Sequence, residues 1–250
     1  MTINPAHAIE ADWARLGVLF STPPSSVTPD IERLLLRTAV AASGHARLVA
    51  ITATWLVVHG HAVARHRLKR LVASDLGPDA RAVLGFIIDS ALERGATKRL
   101  AIVLDACRAA AVPGPLHELQ RHHPRLHDMA RRNACPRSIK WGVWFPTIEP
   151  TYDAIRPAAW VHAANPGFHA RAVRRGDLRC SIIESLRLDG GGEICSENAL
   201  ARLSGASRAA LHKALDSLDR EGEIIRPPRG PHRRDQTVRL ARVVQDTPVA

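Results

Sequence analysis

Between Asp177 and Leu240 the apolar positions fall into an ordered series of periods. Leu178, Ile182 and Leu186 recur every four residues, the spacing of one face of a helix. Gly190-Gly191-Gly192 breaks that stripe, and Glu193-Ile194 reads as a short strand. Leu200 and Leu203 then share one side of a second helix, and Leu211, Leu215 and Leu218 share one side of a third. Ser196 and Ser207 each stand just before an amphipathic run, where a hydroxyl caps the orphan backbone N–H groups. Gly205 supplies a turn between these two helices, and Ala201 is small where they must cross. Beyond Gly222, Glu223–Arg226 and Gln236–Arg239 are strand-like, joined by PPRGPHRRD. The pattern predicts helix, strand, helix, turn, helix and a basic β-hairpin.

Upstream, the periods are helical with one irregular interval. Residues 1–27 show little period and are expected to be an extension and linker ending in STPPSSV. Thr28-Pro29-Asp30 predicts a helix start, with Thr28 as cap and Pro29 at the first helical position. Ala46–Val58 is apolar almost all round and is expected at the centre of the domain. His59-Gly60-His61 breaks it, and a basic amphipathic segment runs from His61 to Val72. Further helices are predicted from Pro78 to about Glu93 and from Lys98 to Ala111. The alternation of Trp141, Val143 and Phe145 predicts a short strand or strap, Ala158–Ala164 a short helix, and 167–176 a connection. The fold class is mainly α, with a helical domain over 28–170, a second domain over 171–242 and a tail over 243–250.

The 250 residues include 35 Lys plus Arg against 24 Asp plus Glu, which favours a polyanionic partner. Only four of the cations are lysines, a bias that a GC-rich genome alone would produce, so placement matters more than the total. Residues 171–242 hold 15 cations and 10 acids, a net of +5, and Arg226 to Arg234 contains four arginines and no acid. Four scattered cysteines, none in a C-x-x-C pair, imply a reducing compartment. With no secretory signal at the start, and with Leu48–Val58 as the most apolar run, a cytoplasmic protein without a membrane span is expected.

Motifs for chemistry are sparse. His117, His122, His123 and His127 lie within eleven residues, but Pro124 separates the last two and no carboxylate or cysteine pattern completes a metal site. A structural or surface role is expected for them, and no metal or other cofactor. Gly190–Gly192 lacks the G-K-[ST] of a phosphate loop, and no G-x-S-x-G is present. Trp141, Trp144 and Phe145 are expected at a core edge rather than on a base-stacking platform. Nothing nominates an enzyme.

The C-terminal stretch resembles the winged helix-turn-helix domain of bacterial transcription regulators. The residues that carry the likeness are Ala201, Gly205 and Leu211, followed by the wing RPPRGPHRR. The resemblance covers about a quarter of the chain and implies a sequence-specific regulator, most simply a repressor, bound to double-stranded DNA. It places the helix that begins at Ser207 in the major groove and the wing on adjacent backbone. Arg208 then reads a guanine edge, Ala209 meets a thymine methyl, His212 and Lys213 meet bases or phosphates, and Ser207 joins its cap to a phosphate contact. Arg226, Arg229, Arg233 and Arg234 supply the non-specific grip. The layout that includes WLVVHGHAVARHRL and NPGFHARAVRRGDLRCSIIESL is similar to winged-helix regulators encoded beside nucleotidyltransferase-type toxins. That likeness implies an antitoxin-like repressor and a toxin partner. The helical domain is expected to hold a homodimer or a partner protein. The alternative is a protein-binding adaptor whose winged helix does not contact DNA.

Overall fold

The computed structural model describes residues 5–226 and 237–241, and the chain is mainly helical with two small sheets. Fourteen helices are present among the described residues. The first nine are α1 Pro5–Arg15, α2 Ile31–Ala41, α3 Ala46–His59, α4 Arg65–Asp75, α5 Pro78–Glu93, α6 Ala101–Leu104, α7 Glu118–His122, α8 Pro124–Asn133 and α9 Pro136–Lys140. The rest are α10 Ala158–Ala164, α11 Pro166–Val173, α12 Leu178–Glu184, α13 Glu197–Ser204 and α14 Arg208–Arg220. No helix among the described residues is long and apolar enough to cross a membrane.

A large hydrophobic core is built around α3 and α5. Trp55 of α3 and Phe86, Ile87 and Ile88 of α5 are wholly buried, as an all-round apolar helix requires. Residues 5–18 join this core, contrary to the expected linker. Ile9, Trp13 and Leu16 form a buried stripe; the Trp13 indole donates to Thr38 Oγ1 at 2.9 Å, and the Trp55 indole to Leu16 O at 3.0 Å. The start of α2 also differs from expectation. Asp30, not Thr28, is the cap, accepting from Arg33 N at 3.1 Å. Its carboxylate reaches a free N–H and suits the positive helix end, while Thr28 Oγ1 turns to Asn165 Oδ1.

The helix expected over 98–111 is shorter. A single 3-10 turn at Lys98–Leu100 leads into α6, which stops at Leu104. The strand expected near Trp141 is β2 (Val143–Trp144), paired in parallel with β1 (Gly114–Pro115). The 167–176 connection is instead α11, whose Phe168 and Arg171 are buried.

The C-terminal residues have a second hydrophobic cluster, formed by Ile182, Leu186, Ile194, Leu200, Leu211, Leu215, Leu218, Ile224 and Val238 with Ala214. After α12 the chain makes a π-type turn (Ser185–Asp189) and enters β3 (Glu193–Ile194). β4 (Ile224–Ile225) and β5 (Val238–Leu240) follow α14, and the sheet order is β3-β5-β4, all antiparallel. In its register Glu193 faces Arg239 and Ile224 faces Leu240.

Buried charges join the two clusters. The wholly buried Arg67 of α4 donates to Asp30 at 2.7 Å, Glu32 at 2.9 Å and Asp189 at 3.0 Å. Arg171 spans Glu32 at 2.8 Å and Glu184 at 2.7 Å. Burial would push both arginines toward the neutral form. Asp30, Asp189 and Glu32 around Arg67, and Glu184 and Glu32 around Arg171, more than reverse this and raise both pKa values. Burial would likewise raise the carboxyls, but Arg67 holds Asp30 below its usual range, and Arg171 and Arg187 do the same for Glu184. The basic segment expected over 61–72 thus spends its central arginine inside the protein rather than on the surface.

Candidate nucleic-acid interface

Two caps and one glycine set the geometry of the α13–α14 pair. Ser196 Oγ accepts from Ala199 N at 3.1 Å and starts α13; Ser207 Oγ accepts from Ala210 N at 3.3 Å and starts α14. Between them Gly205 is left-handed, with φ +72°, and a Cβ there would stand 2.5 Å from His66 O in α4. Both the backbone angle and the close approach exclude a side chain.

Burial of Leu211, Ala214, Leu215 and Leu218 turns the opposite face of α14 to solvent. Ala209, His212 and Lys213 are exposed on that face, and Ser207 and Arg208 are exposed at the start of the helix. Five of the residues expected to meet DNA are therefore brought together at one helix end. Their nearest neighbours come from the first turn of α13, which sequence reasoning did not single out. Arg208 Nη2 donates to Asn198 Oδ1 at 2.8 Å, and His212 Nδ1 lies 3.2 Å from Glu197 Oε2. Arg202 is exposed beside them on α13.

Arg226 stands apart from this group. Its side chain is only 12% exposed and pairs with Asp216 at 2.8 Å and Asp219 at 3.1 Å. Burial opposes its charge, but hydrogen bonds to Asp216 and Asp219 prevail and raise its pKa. Arg226, expected to grip phosphate, is thus engaged by two aspartates at the foot of β4. Arg229, Arg233 and Arg234 lie outside the described residues.

The other sequence candidates divide by burial. Trp141 donates its indole N–H to Asp89 Oδ2 at 2.9 Å and packs against Gly85, where a Cβ would meet its ring at 2.4 Å; it is a core residue. His117 faces Phe145 with its Nδ1 3.3 Å from Ser43 O, and His127 sits edge-on to Trp144, while His122 and His123 are exposed. No group of three or more His, Cys, Asp or Glu able to hold a metal occurs among the described residues. The four cysteines are free, and burial pushes the Cys107 thiol up to about 12, away from thiolate chemistry.

No protein-family model, no curated protein and no solved structure matches this chain.

Proposed function

We propose that residues 177–241 form a winged helix-turn-helix that binds double-stranded DNA, and that the protein is a DNA-binding transcription regulator. The observation that carries this reading is the exposed quintet Ser207, Arg208, Ala209, His212 and Lys213 at the start of α14. Support comes from the order α12, β3, α13, turn, α14, β4, β5, in which two antiparallel strands follow the third helix. A helix N-terminus with exposed cations suits a major groove: its N–H groups and positive dipole end meet phosphate, and a guanidinium bonds a guanine edge twice.

Arg208→Ala tests the assignment. Loss of a bidentate guanine contact costs on the order of 1–3 kcal/mol on the cognate duplex and much less on scrambled DNA. Equal weakening of both duplexes removes Arg208 as a base reader. Absence of any DNA binding by the intact chain leaves the adaptor reading, which the acid pairing of Arg226 and the closeness of Glu197 to His212 favour.

A single such unit covers little DNA, so the reading includes a homodimer held by the helical body. An apolar groove of about 800 Å³ between α1, α2 and the end of α4 supports this, bordered by Ile9, Leu36, Val40, Ala41 and Leu76, with Val40 itself exposed. Sedimentation is expected to give a dimer that Val40→Asp dissociates; a strict monomer for the unmodified chain removes this part of the proposal.

A further inference from the structure

The turn before α14 rests on the helical body. Beside the 2.5 Å approach to His66 O, a Cβ on Gly205 would lie 3.3 Å from Arg70 Cβ, so Ser207 and Arg208 follow two and three residues after a contact with α4. This end of α4 is basic. Arg67, Leu68 and Leu71 point inward, which leaves Arg65, His66 and Lys69 partly exposed. Two other segments add cations. The Lys98–Leu100 turn packs against Gly60, where a Cβ would meet Leu100 Cδ1 at 2.9 Å, and its Arg99 is exposed. Arg175 is also exposed and sits at φ +50°, a conformation costly for a residue with a side chain. Its carbonyl and that of Gly176 accept from Arg65 Nη1 at 3.1 and 2.7 Å, which anchors this corner to α4.

The groups here feel one another's positive charge. After burial, the next influence on Arg65 is Arg99, on His66 it is Arg65, and on His61 it is His162 followed by Arg175; each lowers the pKa of its neighbour. Two acids are near. Asp177 pairs with Arg179 at 3.1 Å, and Asp105 pairs with Lys69 at 2.7 Å across an exposed contact that solvent weakens.

We propose that α4, with Arg99 and Arg175 beside it, is a second phosphate-contacting face that grips the backbone of the duplex read by α14. The proposal rests on the DNA-binding reading. It assigns to the helical body a share of the contact that the sequence places wholly in the C-terminal residues. Guanidinium groups match phosphate geometry, and Lys69 exchanges one exposed carboxylate for a phosphate. Such contacts carry no base information, so their signature is the release of counterions.

The test compares two double variants of the full chain by fluorescence anisotropy at several salt concentrations. The probes are duplexes of about 30 base pairs, nearly three helical turns, one of mixed sequence and one, used as the cognate duplex, selected for tightest binding from the DNA upstream of this protein's own coding sequence. Lys69→Ala with Arg99→Ala removes two exposed side chains and is expected to leave the melting temperature unchanged. It should lower the slope of log K against log salt by about two, equally on both duplexes. Arg208→Ala with Lys213→Ala is expected to weaken the cognate duplex more than the mixed one. Should the α4 variant keep the unmodified slope while the α14 variant loses affinity, the second face is overturned and the α14 reading stands. Should the α4 variant lower the slope while the α14 variant binds as before, the second face holds and the α14 assignment fails. An intact chain that binds no duplex overturns both. The swap Lys69→Arg with Arg99→Lys retains both charges and is expected to retain the slope.

Discussion

The two hydrophobic clusters of this chain are built from different side chains. The core of the helical body holds Trp13, Trp55, Phe86 and Phe168, all wholly or almost wholly buried, whereas the C-terminal cluster is aliphatic throughout. Aromatic side chains each bury about 150–250 Å² and dominate core energetics where they occur. The smaller cluster lacks that contribution and is completed from outside, through Arg67 on Asp189, Arg171 on Glu184 and the seating of Gly205 on α4. One region is stabilised mainly by its own interior; the other leans on a charged seam. All five tryptophans, at 13, 55, 141, 144 and 160, lie in the body, so indole fluorescence reports that region while circular dichroism reports both.

Cutting the seam is the strongest way to break the comparison. Arg67→Ala removes the one arginine shared by Asp30, Glu32 and Asp189, and removal of one partner from a buried ionic network costs about 3–5 kcal/mol. In a urea titration the dichroism of this variant is expected to fall before the fluorescence. Coincident curves at an unshifted midpoint would show that the seam does not support the C-terminal cluster.

Leu215→Ala attacks the smaller cluster from within. Leu215 is wholly buried, and such truncations cost about 2–5 kcal/mol according to how far the cavity collapses. The expected result is an early loss of helical dichroism with tryptophan emission unchanged. A matched fall in emission would mean that the two clusters unfold as one.

Protonation offers a test confined to the body. His59 is wholly buried against Trp55 and Phe168, and burial, only partly offset by the Arg156 backbone, lowers its pKa to about 4. Its unfolded pKa is near 6.5, so between about 6.5 and 4 the unfolded chain takes up a proton that the folded chain refuses. The contribution is fully present above the upper limit and is lost as pH falls through that window, by at most about 3 kcal/mol. Fluorescence-detected urea midpoints should therefore decline from pH 6.5 to 4.5, and His59→Leu should flatten most of that decline. An unaltered decline in the variant would assign it to His61 and His66, whose pKa values burial also lowers.

Much of this arrangement is legible in the sequence because it is local. Ala158–Ala164 and Pro78–Glu93 match their expected bounds, and the Ser196 and Ser207 caps hold the N–H groups that their positions imply. Side chains choose these features from neighbours three or four residues away. What escaped depends on distant partners. Residues 5–15 are too short and weakly periodic to declare a helix, and Trp13 earns its place only through Thr38 and Trp55. Arg67 reads as one more cation in HRLKR, because its carboxylates come from positions 30, 32 and 189. Ala209, His212 and Lys213 were visible as the complement of the leucine stripe on α14, and Ser207 and Arg208 as its start, whereas the capture of Arg226 by Asp216 and Asp219 required the strand to fold back along the helix.

Gly176 sets a limit on modularity. A Cβ at this position would lie 1.9 Å from Val63 O, so the chain crosses from α11 to α12 through a gap without room for a methyl group. A cut there, the natural place to excise residues 177–241, would separate Asp189 from Arg67 and Glu184 from Arg171, and leave Asp189 bared and Glu184 with Arg187 in place of two arginines. Such a fragment would be more acidic where it had been docked, and so a poorer ligand for any polyanion than the same residues in the whole protein. Transplanting this unit onto another scaffold requires a host that brings its own pair of inward-facing arginines.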